Sequence, residues 1–513
     1  LRDQRAVIER DVLPAYLSVR RWYAAKDQTA AQIRLADLAE LPNADRALLL
    51  AEIETSSAAG SACWLLPLSV VWDDENTSAP LPGQLALARV RRVSRVGLLT
   101  DGFALPVFAR AVMGGFAEGA RVPAGDGEIR FEPTERMRSA LPEADAEITW
   151  LSAEQSNSSL IVGDVAMVKL FRRLVAGPHP EAEMGRYLTE QGFAHTPALL
   201  GEMVRVGANG TRHTLAVAQG FIRNQGDAWT WMLDWMLRAL SDLPATEEVG
   251  AEASPDRFAE GEAIASVIGQ RLGEMHAVLA RPTEAPDFAP ERADDAVLDR
   301  WARDVAAQID AALRALAATG ASLEPQAHAE AEALERVRGL LVNAARGLAR
   351  HGAGAVLTRI HGDLHLGQML VSSGDVYIID FEGEPARPLE QRRAKTSPMR
   401  DLAGVIRSFD YAVAVVGRKS REAHAHVAEE RREAFLAEIL NRLNACFLAG
   451  YRALAPSGDD AADAALLRLF LIEKAAYEVA YEAANRPSWI DVPLHGLARI
   501  ADEVLAPERQ AAE

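Results

Sequence analysis

The chain has 513 residues, too many for one compact core, which sets an expectation of two to four domains. Its 49% hydrophobic and 25% charged residues are ordinary globular material, and 55 Lys+Arg against 73 Asp+Glu leave a net charge of −18 that would repel a nucleic-acid backbone. The longest apolar stretch, ACWLLPLSVVW, falls well short of the roughly 20 residues of a membrane-spanning helix, so neither nucleic acid nor a membrane is expected as a partner.

Residues 1–95 combine one polar-faced helix, QRAVIERDVLPAYL, with strand-like runs such as WLLPLSVVW and GQLALARV, and predict a first subdomain. Asp101-Gly102 and the glycine-rich MGGFAEGARVPAGDGEIRF break that pattern and predict a second, small β subdomain over 96–148. A different rhythm starts at 149. The runs SSLIV and VAMVKLF are joined by Gly163-Asp164, a favoured hairpin turn, and are followed by a helix with Met184, Tyr187 and Leu188 at i, i+3, i+4. Two more strand-like runs, LGEMVRV and HTLAVAQGFI, follow. Residues 149–222 therefore read β–β–α–β–β. From 223 to 513 the chain is predicted almost wholly helical, over 228–241, 260–280, 292–318, 325–351, 418–453 and 461–485, with an acidic loop at 243–258 and a Pro-rich stretch at 282–291. Cys63 and Cys446 lie among apolar neighbours with no metal-binding or disulfide spacing, which fits a reducing cytoplasm.

The one β interruption of the helical half is RIHGDLHLGQMLVSSGDVYIIDFEGEP, residues 359–385. His361, Asp363 and His365 alternate there as zinc ligands on a strand would. A hydrolytic metal site needs further ligands, and among 11 histidines no second cluster forms, His424 and His426 lying in a charged helical stretch. Phosphoryl transfer finds its parts more readily. That chemistry needs a carboxylate near the attacking hydroxyl, ligands for a phosphate-bound Mg²⁺, and a lysine oriented by an acid. Lys169 on a strand and Glu183 at a helix start are a candidate pair, Asp363 a candidate base. Gln368 and Asp380 could offer oxygens to the metal.

HGDLHLGQ, IIDFEGEPARPLEQRRAKTSPMRDLAGVIRSFDYA, EKAAYEVAYEAANRPSW and LPAYLSVRRWYAAK together resemble the maltokinases, a branch of the aminoglycoside-phosphotransferase-like group within the protein-kinase-like fold. The wider group usually has Asn where this chain has Gln368, and maltokinases usually have Gln. The resemblance implies an α/β (α+β) two-lobed fold with an extra N-terminal cap, a small antiparallel-sheet lobe and a large helical lobe. It implies that Asp363 orients or deprotonates a sugar hydroxyl, that Gln368 and Asp380 hold Mg²⁺, and that Lys169, partnered by Glu183, touches the phosphates of ATP. Ser156, Asn157 and Ser158 would cover those phosphates, and Gln219, Phe221 and Ile222 would form the hinge that meets adenine. Arg400 and Asp401 would brace the catalytic loop.

On EKAAYEVAYEAANRPSW, Lys474, Glu478, Tyr481 and Asn485 share one helical face, with Tyr477 and Trp489 close by. With Glu382 and His365 they are the expected sugar contacts, although His365 could equally lock the loop. The implied reaction is phosphorylation of maltose at its anomeric hydroxyl, feeding α-glucan synthesis, with trehalose synthase as a fused or associated partner; a start at Leu1 is compatible with such a fusion. A kinase of another sugar or amino sugar, glucose or glucosamine, and a catalytically silent kinase-like module are the alternatives.

Overall fold

The computed structural model describes residues 4–23, 32–42, 46–58, 60–73, 83–143, 145–151, 157–243, 257–319, 323–423, 427–455 and 458–510. The expected acidic loop at 243–258 lies almost wholly outside them, as do His424 and His426. The chain forms two compact units, Leu1–Glu190 with Pro197–Arg223, and Gln191–Thr196 with Asn224–Glu513.

The first unit holds two antiparallel sheets. Strands β1 (Gln32–Glu40), β2 (Leu48–Ser57), β3 (Gly60–Trp72), β4 (Ala86–Arg92) and β5 (Arg95–Asp101) run in the order β1-β2-β3-β5-β4. The second sheet takes β6 (Arg121–Ala124), β7 (Gly127–Pro133), β8 (Ile148–Trp150), β9 (Ser158–Val162) and β10 (Ala166–Leu170). The chain then lends β11 (Arg173–Leu174) to the first sheet beside β3. It returns with β12 (Leu199–Val206) and β13 (Arg212–Gly220), giving the order β6-β7-β12-β13-β10-β9-β8.

Strand β3 is apolar on both faces because both are covered, and its side chains alternate between two cores. Trp64, Leu66 and Leu68 pack with Leu13, Tyr16 and Leu17 of the N-terminal helical segment. Leu65 joins a second core, in which helix Pro106–Glu118 and both sheets share one set of apolar contacts.

That helix is absent from the sequence expectation. Its glycines read as breakers, yet Pro106 opens it, Gly119 closes it with φ 60°, and Phe108, Val112 and Phe116 repeat on its buried face. Gly115 is there for closeness: a Cβ would meet the Phe131 ring at 2.7 Å. The expected subdomain boundaries also differ from the structure. A break at 95/96 would cut the β4–β5 hairpin, and one at 148/149 would part β6 and β7 from the sheet they extend, where β7 pairs with β12.

The second unit is mainly helical, with helices Ala228–Ser241, Ala259–Leu279, Asp295–Thr319, Pro325–Arg350, Met399–Ala423, Glu429–Leu454, Asp460–Asn485 and Asp491–Gln510. The expected helix over 418–453 is two elements, and its first begins nineteen positions earlier, at Met399. Two small two-stranded antiparallel sheets interrupt the helices: β14 (Glu291–Arg292) pairs with β15 (Val356–Leu357) across two intervening helices, and β16 (Met369–Ser372) forms a hairpin with β17 (Asp375–Ile378). Helices Ala259–Leu279 and Glu429–Leu454 approach so closely that a Cβ on Gly269 would lie 2.1 Å from the Phe447 carbonyl, and one on Gly450 2.2 Å from that of Ser266. The close pair places His276 against Tyr451, Nδ1 to Oη 3.0 Å, and aims the other ring nitrogen at Asp401.

Candidate active site

In the second unit the site grows from the β16–β17 hairpin. Ser373 (φ 52°) and Gly374 (φ 80°) turn the chain tightly, which sets the loop before β16 beside the strand end after β17. The Ile379 N–H donates to the Gln368 carbonyl at 3.0 Å, so Gln368 and Asp380 sit on adjoining segments. Asp380 is held in the left-handed region with φ 67°, an uncommon conformation for a side-chain-bearing residue.

The loop is held by a buried acid. Asp401, in the first turn of helix Met399–Ala423, accepts the N–H groups of His361 (2.8 Å) and Gly362 (2.9 Å), and His276 Nε2 lies 3.1 Å from its Oδ2. Burial by itself would raise this carboxyl's pKa. The His276 hydrogen bond and charge, the His361 charge and the Gly362 N–H outweigh burial and hold it below the ordinary range.

Both histidines of the motif serve the loop's own backbone. His361 Nε2 lies 2.8 Å from the Ile379 carbonyl, and its Nδ1 accepts the Asp363 N–H at 3.3 Å. His365 Nδ1 accepts the Gly367 N–H at 3.0 Å, and burial pushes the His365 pKa down. Among the described residues no three His, Cys, Asp or Glu side chains are grouped to hold a metal ion. Gln368 and Asp380 together offer an amide and a carboxylate oxygen, the hard donors that suit Mg²⁺.

Asp363 is half-buried and faces a cavity of about 630 Å³ built wholly from the second unit. Lys474 Nζ, on helix Asp460–Asn485, lies 3.8 Å from Asp363 Oδ1 and 5.4 Å from the Tyr477 ring centre. Burial raises the Tyr477 phenol's pKa, as does the neighbouring Glu384 carboxylate to which it is hydrogen-bonded. Glu384 in turn pairs with Arg387 at 2.6 Å, and Trp301 closes another part of the wall.

Of the expected sugar contacts, Lys474 and Tyr477 line this cavity, and Glu478, Tyr481, Trp489, His365 and Glu382 do not. Glu478 is committed elsewhere, its Oε2 lying 2.9 Å from Nε and 2.8 Å from Nη2 of the buried Arg407. Tyr481 is exposed and stacks on Tyr477 at 6.1 Å, Asn485 bonds back to the Tyr481 carbonyl, and Trp489 lies under the Arg418 guanidinium at 4.3 Å. Of the two residues expected to brace the loop, Asp401 accepts its backbone N–H groups, and Arg400 lines the cavity and pairs with Glu473 at 2.8 Å. Trp301, Asp304, Glu384 and Arg387 escaped the sequence reading. Glu384 and Arg387 stand at i, i+3 inside a motif already singled out, but Trp301 and Asp304 belong to a helix with no other sign of function.

In the first unit Lys169 is buried on β10, between Ser159 of β9 and Val217 of β13, with its Nζ 5.8 Å from the Phe171 ring centre. Helix Pro180–Glu190 presents two acids in its first turn, the buried Glu181 and the half-buried Glu183. Of the expected hinge residues, the Gln219 amide donates to Glu181 Oε1 at 2.7 Å, the Phe221 N–H donates to the Val165 carbonyl at 2.9 Å, and Ile222 is half-buried. Ser158 opens β9 and its Oγ accepts from Arg172 Nε at 2.8 Å, with Asn157 just before it; Ser156 lies outside the described residues.

The chain is 29% identical over 360 residues to a glucosamine kinase of Mycolicibacterium smegmatis, covering 69% of this chain and 79% of that protein. It is 26% identical over 364 residues to a glucosamine kinase of Streptacidiphilus jiangxiensis, covering 69% and 73%. A solved glucosamine kinase in complex with glucosamine, ADP and inorganic phosphate superposes with a TM-score of 0.64 over 97% of this chain and 98% of its own, at 20% identity. The fold is thus the kinase-like α+β fold that the sequence led us to expect. These relatives support the wider group of the resemblance and not its maltokinase branch. The phosphotransferase enzyme family, APH, matches residues 147–434, more than half of the sequence, and to that family this chain belongs.

Proposed function

We propose that this phosphotransferase is a sugar kinase that moves the γ-phosphoryl group of ATP to the anomeric hydroxyl of maltose, giving maltose 1-phosphate and ADP. The observation that carries a sugar-hydroxyl acceptor is the place of Asp363 in the wall of a polar cavity of about 630 Å³, with Lys474 Nζ at 3.8 Å. A volume in the middle of the small-molecule range leaves room beyond one sugar ring. Trp301 and Tyr477 offer apolar faces, and Asp304, Gln308, Glu384 and Arg387 offer partners for hydroxyl groups.

In this reading Asp363 accepts the acceptor's hydroxyl proton as the oxygen–phosphorus bond forms and the bond to the ADP oxygen breaks. The His361 clamp on the Asp363 N–H and the Asp401 clamp on the two preceding amides fix the carboxylate's starting point, so catalysis is mainly positioning. Lys169 meets the nucleotide phosphates, with Glu183 of helix Pro180–Glu190 as its orienting partner. Gln368 and Asp380 would hold Mg²⁺, which when bound neutralises charge on the phosphates.

Maltose is favoured by the sequence motifs around the cavity, IIDFEGEPARPLEQRRAKTSPMRDLAGVIRSFDYA and EKAAYEVAYEAANRPSW. On that resemblance trehalose synthase, fused or associated, would supply the maltose, and α-glucan synthesis would consume the product. Glucosamine is the second reading, favoured by two glucosamine-kinase relatives and by Asp304, Glu384 and Glu390, carboxylates suited to an ammonium group.

The test is ADP release with Mg-ATP against maltose, glucose, glucosamine and trehalose, with Asp363→Asn as the blank. Turnover selective for maltose supports the first reading, and turnover selective for glucosamine replaces it with the second. Silence on every acceptor with ATP still bound would leave a regulatory kinase-like module.

A further inference from the structure

The N-terminal segment is tied to the second sheet of the first unit by one buried cation. The chain leaves that sheet at Leu170 and joins the first at Arg173, with the Arg172 carbonyl accepting from Leu65 N–H at 2.8 Å. The Arg172 side chain, 3% exposed, sits at this crossing. Its Nη2 bonds Asp101 Oδ2 at 2.7 Å, and its plane lies 5.0 Å from the Trp22 ring centre and 5.3 Å from that of Phe103. Asp101, also buried, receives the Tyr16 hydroxyl at 3.1 Å and caps the following turn through the Phe103 N–H at 3.1 Å.

The other side of the guanidinium points to β9. Nε donates to Ser158 Oγ at 2.8 Å, and Nη1 has no hydrogen-bond partner among the described residues. Arg172, Asn157, Ser158, Trp22 and Trp150 border a void of about 10 Å³, the size of one water. A cation so deeply buried is costly unless its partners are fixed in return, and here they are: an acid, two aromatic faces and a hydroxyl.

We propose that Arg172 is a positioning residue for the nucleotide, and that Tyr16, Trp22 and Asp101 act through it to hold Asn157–Ser158 in place. The inference rests on the reading of Asn157–Ser158 as phosphate-covering residues. It gives the N-terminal segment a part in ATP binding that its distance in sequence conceals. Tyr16 fixes Asp101, Asp101 fixes the guanidinium, and the guanidinium fixes the hydroxyl at the start of β9.

The test compares wild type with Arg172→Gln, Tyr16→Phe and Leu17→Ala in the full chain. Mg-ATP affinity is read by calorimetry, and KM for ATP, KM for the acceptor, kcat and Tm are measured beside it. Leu17→Ala is the control, a fully buried apolar neighbour of Tyr16 with no polar link to Ser158. Loss of a charge-assisted hydrogen bond predicts a rise in the KM for ATP of roughly tenfold for Arg172→Gln and about threefold for Tyr16→Phe, with acceptor KM and kcat little changed. Leu17→Ala should lower Tm and leave the KM for ATP unmoved.

Wild-type Mg-ATP affinity in Tyr16→Phe and Arg172→Gln would overturn the proposal. So would a rise in Leu17→Ala matching that of Tyr16→Phe, since general loosening would then explain both. If Arg172→Gln fails to fold, Tyr16→Phe decides. A wild-type chain that bound no nucleotide would instead defeat the kinase reading, and this inference with it.

Discussion

Asp380 holds a backbone conformation that most side chains avoid, and it is one of the two residues proposed above to hold Mg²⁺. Replacing it separates the two properties. Asp380→Ala and Asp380→Gly should both lose Mg²⁺-dependent nucleotide binding. The glycine variant should be the more stable of the pair by about 1 kcal/mol, because it alone relieves the left-handed strain; urea titration of the two variants checks this. Asp363→Asn should lower turnover by roughly 10³-fold while leaving Mg-ATP affinity and Tm unchanged, since proton acceptance is lost and little packing is. Unaltered kcat would move the base elsewhere. Asp401 makes a pH prediction. Its pKa is depressed in the folded chain, so its contribution to stability is present above the ordinary aspartate value of about 3.9 and fades as the pH falls through the lower folded value. Asp401→Asn should therefore be less stable than wild type at pH 6, with the gap narrowing as Tm is followed downward below pH 4.

Elements differ in how plainly the sequence announces them. Helix Ala228–Ser241 was legible to the residue: Asp227 accepts the Thr230 N–H at 2.7 Å as an N-cap, and the apolar period follows directly. Helix Pro106–Glu118 was hidden because one of its two glycines, Gly115, serves close contact with Phe131, and a contact partner is not written beside the residue that needs it. The loop 361–368 and the strand end at Asp380 were legible because their spacing is local. The cavity that Asp363 lines was not, since Trp301, Glu384 and Tyr477 come from three separate stretches and meet only after folding. Glu478 carried the right helical phase and the wrong partner, as Arg407 claims it. The tight pairing of helices Ala259–Leu279 and Glu429–Leu454 belongs to this scale too. Gly269→Ala should destabilise by about 2–3 kcal/mol, because its Cβ meets backbone that cannot swing aside. Denaturant unfolding measures it, and a change below about 0.5 kcal/mol would mean that the helices part easily.

For the whole molecule, the first unit's core is shared by both of its sheets and by helix Pro106–Glu118, with Leu48, Leu50 and Leu65 in contact with the same cluster as Phe116, Phe131 and Leu160. A chain beginning at residue 96 or 149 would expose that surface, so neither truncation should yield a cooperatively unfolding protein by circular dichroism. The division into units has a further result. Gln191–Thr196 belongs to the second unit although first-unit chain flanks it on both sides, and the His195 carbonyl accepts the Ile378 N–H at 2.9 Å while its ring lies beside Glu274 and Asp375. The polypeptide thus passes between the units three times. No single cut separates them intact: cleavage after Arg223 leaves one fragment carrying six residues that the other lacks. The two halves are consequently inherited as a pair, and a recombination joint at one point along the gene cannot exchange either of them whole.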